Sequence, residues 1–379
     1  MSDLNFEVLS KLKDLEEEKL LALKGVVGVS VGFKVKDGKK TGILSIRVLV
    51  KKKRGKLWMK LFTPDAMVPL EIGGFPTDVV EVGEVKVLSK LESWKRRGVG
   101  PNYGVHTLSE KGRSDKWRPA PGGVSIGHKA ITAGTFGGLV KDRATNKIMI
   151  LSNNHVLANS DMTNNQTAYK GDSILQPGKY DGGKDPTDKI AKLERWIEIN
   201  PFGANEVDCA AAVPLSEKDV DPTILEIGKV SGVAEPELNM KVQKSGRTTG
   251  LTRGEITDLH ATIRVQYPGG YIVTFKEQTL TGPMLQGGDS GALLLDLNRK
   301  LVGLGFAGSD QVAVFNKISK VLEALKINPV IEETPPTPPP TPKPTVKMVV
   351  TITVDGRQET HEYQGQDIKV NQEIEAQSS

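Results

Sequence analysis

The sequence predicts a mainly β protein: a small α+β unit first, then a longer strand-rich region of barrel or sandwich type. Three observations lead there. Two stretches near the start alternate apolar and other residues with a period of two. Beyond residue 122 the chain breaks into many short apolar runs separated by Gly, Asn, Asp and Pro. Glycine is abundant, at 40 of 379 residues, which favours turns over long helices.

The opening stretch, "MSDLNFEVLSKLKDLEEEKLLALKG", reads as an amphipathic helix ending near residue 23. In "VGVSVGFKVK", Val27, Val29, Val31, Phe33 and Val35 alternate with Gly28, Ser30, Gly32, Lys34 and Lys36. After "DGKKTG", Leu44, Ile46, Val48 and Val50 resume the pattern, so the two runs predict a hairpin with one buried side. A short helix and the strand "DVVEVGEVKVL" complete the expected unit of residues 1–92. Residues 93–121 are basic, lack periodicity and read as an exposed linker open to nicking. The strand-rich region spans 122–328 and closes on a helix with Ile318, Val321, Leu322 and Leu325 on one face. "ETPPTPPPTPKPT", within 329–345, is a semi-rigid polyproline spacer. Residues 346–379 read as a β-hairpin turning at Asp355-Gly356, too small to hold a core alone.

Composition excludes several classes. No run of 18 apolar residues exists, so no membrane span is expected, and no basic-then-apolar leader opens the chain. Cys209 is the single cysteine and reads as a small buried hydrophobe; with no internal disulfide the expected location is cytoplasmic, export by another route staying open. The net charge of +5 is modest, although the first 120 residues carry 24 Lys and Arg against 15 Asp and Glu. "KKKRGK" at 51–56 reads as a solvated strand end, and no pattern for nucleic-acid readout accompanies it. Asp181, Asp185 and Asp188 lack the spacing of a calcium loop and read as turn residues. Neither a cofactor nor a metal is expected.

Chemistry concentrates in "LQGGDSGALLLD", residues 285–296, where a serine hydroxyl sits in a glycine-rich turn ahead of an apolar run. A serine needs an adjacent base to act as a nucleophile. His155, in "KIMILSNNHVLA", follows a strand in a polar turn. A histidine base needs its other nitrogen held by a carboxylate, and Asp208 opens the small-residue run "VDCAAAV", where an unpaired charge would be costly.

The order His155, Asp208, Ser290 resembles that of chymotrypsin/trypsin-like serine proteases. "LSNNHVLA", "VDCAAA" and "GGDSGALLL" are similar to the family's three motifs, with Asn153 and Asn154 replacing the usual small residues. "KSGRTTGLTRG" and "KLVGLGFAGS" resemble further segments of secreted bacterial members. The resemblance implies a double six-stranded antiparallel β-barrel with a carboxy-terminal helix. It also implies endopeptidase activity through an acyl-enzyme: Ser290 as nucleophile, His155 as base, Asp208 orienting the imidazole. The amides of Gly288 and Ser290 would form the oxyanion hole, and Asp289 would be buried against a cation.

Three departures bear on this. "PAPGGVSIGH" lacks the amino terminus that completes the site in animal members, so Arg247 is the expected partner of Asp289. Phe306 stands where the family has a serine bonded to the catalytic aspartate, which keeps a protease-fold binding module open as the alternative. Met284 lies near the expected pocket base and no acidic residue occurs between Thr279 and Gly288, which points to an apolar or small residue before the scissile bond. The expected partner is a protein or peptide substrate and not nucleic acid. The amino-terminal unit reads either as a regulatory pro-region or as a permanent recognition domain, and both it and the end hairpin are candidate surfaces for a partner or second copy.

Overall fold

The structure is a computed structural model that describes residues 3–53, 68–88, 111–332, 346–354 and 357–365. Those up to Glu332 belong to one compact unit, and the carboxy-terminal strands belong to a second.

Helix α1 (Asp3–Ala22) precedes β1 (Val26–Lys36) and β2 (Lys39–Val50). Asp37 and Gly38 both take positive φ, the geometry of a tight hairpin turn, and Lys36 pairs with Lys39. Val29, Val31, Ile46, Val48 and Val50 pack with Leu9, Leu20 and Leu21 of α1 in one apolar cluster. Strand β3 (Phe75–Glu81) runs parallel to β2, and a short β4 (Lys86–Val87) follows. The short helix expected ahead of β3 lies outside the described residues.

Two closed barrels follow. The first is built from β5 (Ser125–His128), β6 (Gly134–Thr135), β7 (Gly138–Asp142), β8 (Ile148–Ser152), β9 (Ser173–Leu175), β10 (Lys189–Trp196) and β11 (Ala210–Pro214). A single-turn helix, α2 (Asn154–Leu157), directly follows β8. Strands β6 and β7 form one bent path, because Phe136 bonds across to Val124 and the Gly137 N–H donates to Leu151. The ring then closes with six members through the pairs β5–β6, β7–β8, β8–β11, β11–β10, β10–β9 and β9–β5.

The second barrel comprises β12 (Lys241–Gly246), β13 (Gly250–Gln266), β14 (Ile272–Thr281), β15 (Leu293–Asp296), β16 (Lys300–Gly308) and β17 (Ala313–Lys317). Its pairings β12–β13, β13–β14, β14–β17, β17–β16, β16–β15 and β15–β12 also close a six-stranded ring. Helix α3 (Ile318–Ala324) buries Ile318, Val321, Leu322 and the following Leu325 in a cluster with residues of both barrels, Cys209 among them. Burial raises the Cys209 thiol pKa well above its usual value, with Asp208 adding to the shift, so the thiol stays protonated. No helix among the described residues is long and apolar enough to cross a membrane.

Two boundaries differ from the sequence reading. The amino-terminal unit is not set apart: β13 extends past its barrel and pairs with β1, from Gly28↔Ile263 to Gly32↔Asp258, making one continuous sheet. From Gly28 to Gly32 every residue of β1 is buried, on both faces, where one buried side was expected. A Cβ at Gly28 would stand 2.8 Å from the Thr262 carbonyl oxygen, so this glycine permits the close approach. Ser30 is buried and donates to Asp258 at 2.7 Å, and Arg47 Nη1 reaches the other Asp258 oxygen at 2.8 Å. Residues 93–110 of the expected linker lie outside the described residues, but 111–121 are folded onto the barrels. Arg113 donates to Ser245 Oγ at 2.8 Å and Trp117 N–H to Gln176 at 2.8 Å.

In the second unit, β18 (Val346–Val354) and β19 (Arg357–Gly365) form an antiparallel hairpin in the register Val346↔Gly365 to Val354↔Arg357. The Asp355-Gly356 turn, residues 366–379 and residues 333–345 of the polyproline spacer lie outside the described residues.

Candidate active site

His155 and Asp208 sit at neighbouring ends of the first barrel. His155 lies in α2, immediately beyond β8, and Asp208 lies just ahead of β11, which pairs with β8. The alternation that buries Ile150 and Ala212 inside the barrel ends here, which frees both side chains to turn toward the second barrel. His155 Nδ1 lies 2.5 Å from Asp208 Oδ2, and the His155 backbone N–H donates to Oδ1 at 3.2 Å. Both side chains are buried. The Asp208 backbone is held as well, its N–H donating to Asn316 Oδ1 at 3.0 Å and its carbonyl accepting from Asn153 Nδ2 at 2.7 Å. Asn154 Nδ2 donates to the Ile197 carbonyl at 2.7 Å. The two asparagines that replace small residues thus brace the turn that carries the histidine.

The position of Phe306 has a structural answer. Its side chain is buried against Phe275, centroids 4.7 Å apart, and Phe275 stacks on Tyr267 at 5.9 Å. The Tyr267 hydroxyl donates to Asp208 Oδ2 at 2.6 Å, so a tyrosine at the end of β13 supplies the hydroxyl that Phe306 lacks. Burial, with the Asp208 charge beside it, raises the phenol pKa well above its usual value and keeps it a donor.

The serine turn packs against the same end. A Cβ at Gly134 would stand 3.1 Å from the Ser290 carbonyl and would collide with Val156, the neighbour of His155. Gly291, at φ +93°, abuts Ser152 Oγ so closely that a side chain there would overlap it. Thr135, unremarked in the sequence, ties the turn down: its N–H donates to the Ser290 carbonyl at 2.7 Å and its hydroxyl to the Gly288 carbonyl at 2.9 Å. Ser290 Oγ donates to the Phe306 carbonyl at 3.4 Å. His155 Nε2 is buried with no hydrogen-bond partner among the described residues.

Asp289 is buried, and its cation is Lys244, not Arg247. Lys244 Nζ lies 3.2 Å from Asp289 Oδ2, while the N–H groups of Thr248 and Thr249 reach Oδ1 at 2.8 and 3.1 Å. The Thr249 hydroxyl donates to Oδ2 at 2.5 Å and the Gln286 N–H to the same oxygen at 3.0 Å. The reason lies in register. Lys244 is inside β12, where alternation turns it inward with Val242, whereas Arg247 lies past the strand's end and faces the other barrel. There its Nε donates to Asp181 Oδ2 at 2.7 Å, Nη2 bonds Oδ1, and the guanidinium lies 5.4 Å from the Tyr180 ring centre. Burial draws the Lys244 pKa down, against the pull of Asp289. Asp188 pairs with Lys116, and no group of three His, Cys, Asp or Glu converges among the described residues.

Gly288, at φ +95°, donates its N–H to the Leu88 carbonyl at 2.9 Å. Its left-handed backbone suits glycine, and a Cβ there would lie 2.8 Å from Arg247 Nη1. Met284 belongs to an apolar cluster with Leu285, Val242, Ile256, Phe315 and Leu88.

No protein-family model matches the chain, and no curated protein does. Among solved structures it is similar to Thermobifida fusca protease A, at 19% identity over 56% of this chain and 98% of that one, with a TM-score of 0.42. It is also similar to the Cellulomonas bogoriensis chymotrypsin, at 18% over 56% and 99%, TM-score 0.40. The Nocardiopsis protease gives 17% over 55% and 97%, TM-score 0.39. The mainly β fold of this chain, with its two barrels and closing helix, stands on its own strand pairings.

Proposed function

We propose that the chain is a serine endopeptidase that cleaves peptide bonds through an acyl-enzyme. The observation that carries this reading is the state of His155. One ring nitrogen is clamped by a buried carboxylate, while the other is buried without a partner beside the turn that carries Ser290. A buried polar nitrogen left unpaired is costly in a purely structural residue, and a base awaiting a proton accounts for it. Ser290 attacks the scissile carbonyl, and its proton passes to His155 Nε2 and then to the leaving amine. Asp208 orients the ring and stabilises the imidazolium. The amides of Gly288 and Ser290 hold the oxyanion, a donor whose loss costs about 10²–10³ in rate. Asp289, held by Lys244, keeps that turn in shape, and Arg247 acts one step further out by tying Thr248 and the 179–181 loop to it. The apolar cluster around Met284 suits an apolar residue before the scissile bond.

A second reading, a protease-fold binding module, draws on the Ser290 hydroxyl pointing to the Phe306 carbonyl and on the Gly288 amide already engaged by Leu88. Hydrolysis of apolar peptide esters separates the two. Turnover by the wild type, lost in both Ser290→Ala and His155→Ala, is the expected result. Ester hydrolysis equal in all three proteins would sink the endopeptidase reading.

A further inference from the structure

The stretch just ahead of the first barrel, which reads in the sequence as open linker, sets a guanidinium against the hairpin that supports the serine turn. Arg113 Nη1 donates to Ser245 Oγ at 2.8 Å and to the Gly123 carbonyl at 3.1 Å, and its Nη2 pairs with Glu226. Glu226 also accepts the Leu251 N–H at 3.0 Å. Ser245 and Leu251 stand opposite each other in the pairing of β12 with β13, next to the closing pair Gly246↔Gly250. One arginine and its carboxylate therefore grip both legs of this hairpin. Three residues around the guanidinium have left-handed backbones: Gly123 at φ +90°, Glu226 at φ +65° and Gly250 at φ +63°. A Cβ on Gly123 would stand 3.0 Å from Arg113 Nη1, and one on Gly250 3.3 Å from Nε, so a side chain at either position would crowd the arginine. The Arg113 backbone is fixed as well, its carbonyl accepting the Ser125 N–H of β5 at 2.8 Å.

What the hairpin carries gives this anchoring a purpose. Neighbouring residues of a strand point to opposite faces, so Ser245 turns to Arg113 while Lys244 turns to Asp289. The hairpin tip supplies the Thr248 and Thr249 N–H groups that hold Asp289 Oδ1, and Lys244 Nζ reaches back to the Gly250 carbonyl at 3.0 Å. Charges thus alternate from Glu226 through Arg113 and Lys244 to Asp289. Burial lowers the Arg113 pKa, and the charges of Glu226 and Asp289 oppose that shift, so the guanidinium lies within reach of the carboxylate's field. We infer that Arg113 is a positioning residue of the candidate active site: it holds the 246–250 hairpin in the shape that presents its N–H groups to Asp289, and through Asp289 it sets the turn that carries Ser290. The inference rests on the endopeptidase reading above. It makes residues 111–121 a working part of the catalytic body and gives Arg113 no contact with substrate.

Steady-state hydrolysis of an apolar peptide ester by full-length Arg113→Met, Arg113→Lys and Arg118→Met tests this. Arg118 belongs to the same stretch but donates to Gln176 Oε1, at 2.7 Å, beside β9. It therefore reports what loosening the stretch does by itself. Arg113→Met is expected to lower kcat, and the rate at which a fluorophosphonate labels Ser290, by about tenfold or more, with KM nearly unchanged; that is the usual worth of a hydrogen bond to a charged group. Arg113→Lys recovers part of the loss, and Arg118→Met keeps the wild-type kcat even where its urea midpoint falls as far. Because Arg113 and Lys244 act on one hairpin, Arg113→Met combined with Lys244→Met loses less than the product of the single losses. A wild-type kcat in Arg113→Met overturns the inference and leaves the endopeptidase standing. So does an equal loss of kcat in Arg113→Met and Arg118→Met that follows the urea midpoint. A wild type that neither hydrolyses the ester nor labels removes both readings.

Discussion

Tyr267 and His155 share one oxygen: Asp208 Oδ2 accepts the phenol at 2.6 Å and lies 2.5 Å from the imidazole Nδ1. The two rings meet edge to face, 6.4 Å between centres. A fully buried carboxylate needs its oxygens hydrogen-bonded, and here the phenol is one of the donors. A hydrogen bond to a charged group is worth about 1.5–3 kcal/mol, which is roughly tenfold to a hundredfold in rate if it matters in the transition state. Tyr267→Phe is therefore expected to lower kcat by that factor on an apolar peptide ester and to leave KM nearly unchanged. Equal kcat in variant and wild type would show that Asp208 does without this donor.

The Asp289–Lys244 pair predicts a stability effect. Both groups are fully buried, so removing the cation strands a carboxylate that four other donors only partly satisfy. Breaking such a pair from one side costs about 3–5 kcal/mol. Lys244→Met should lower the urea midpoint accordingly and slow fluorophosphonate labelling of Ser290, because the turn between Gln286 and Ser290 loses its anchor. A Lys244→Met protein that melts and labels like the wild type would mean that the backbone donors alone hold Asp289.

His155, Asp208 and Ser290 could be found in the sequence because each interrupts an apolar pattern with a residue that pattern does not need. The fold class was legible for a related reason, since short runs and turn residues leave a periodic trace. Lys244, Tyr267 and Leu88 carry no such mark. Tyr267 lies 59 positions from Asp208, and Leu88 is an ordinary apolar residue that only strand register brings to Gly288. Lys244 was missed in favour of Arg247 although one signal was present: in "MKVQKSG" it alternates with Val242 and so belongs to the inward face. The depth of docking of the amino-terminal unit was hidden because Gly28 and Gly32 read as the open side of a strand, when they are the side that admits β13.

The attachment of α1 is expected to depend on pH. His260 Nε2 lies 3.0 Å from both Asp14 oxygens, and its Nδ1 lies 2.5 Å from Glu277 Oε1. Burial lowers the His260 pKa, but the bonds to Glu277 and Asp14 outweigh it and the net shift is upward. Burial raises the two carboxyl pKa values; Lys13 and His260 outweigh that for Asp14, as His260 does for Glu277, and both end lowered. A raised histidine contributes stability that is complete below about pH 6.5, its unfolded value, and is lost as pH rises through the folded value. The lowered carboxylates contribute above their unfolded values and lose that contribution as pH falls. Hydrogen exchange of α1 amides should therefore be slowest between about pH 4.5 and 6.5 after correction for intrinsic rates, and His260→Ala should remove the alkaline limb. A corrected profile that does not change between pH 6 and pH 9 would contradict this.

Substrate preference follows from what surrounds Leu88. Leu88 packs there with Met284, Leu285, Val302, Ala313 and Phe315. A charged side chain entering such an apolar cluster would lose hydration, at a cost of several kcal/mol where it is left unpaired. Leucine and methionine before the scissile bond should accordingly be preferred, with lysine and glutamate cleaved hardly at all. Alanine should fall below leucine by about tenfold or more in kcat/KM, since each methylene in such a pocket is worth about 1–3 kcal/mol. Peptides differing only at that residue, supplied in excess so that they compete with the Leu88 segment, give the ranking directly. Shortening the pocket wall should shift the ranking in a defined direction. Met284 packs against Gly254, where a Cβ would stand 3.1 Å from Met284 Cγ, so the thioether has little freedom to yield to a larger guest. Met284→Ala should therefore raise the rate for phenylalanine relative to leucine, and a ranking that Met284→Ala leaves unchanged would place the pocket elsewhere than the cluster around Leu88.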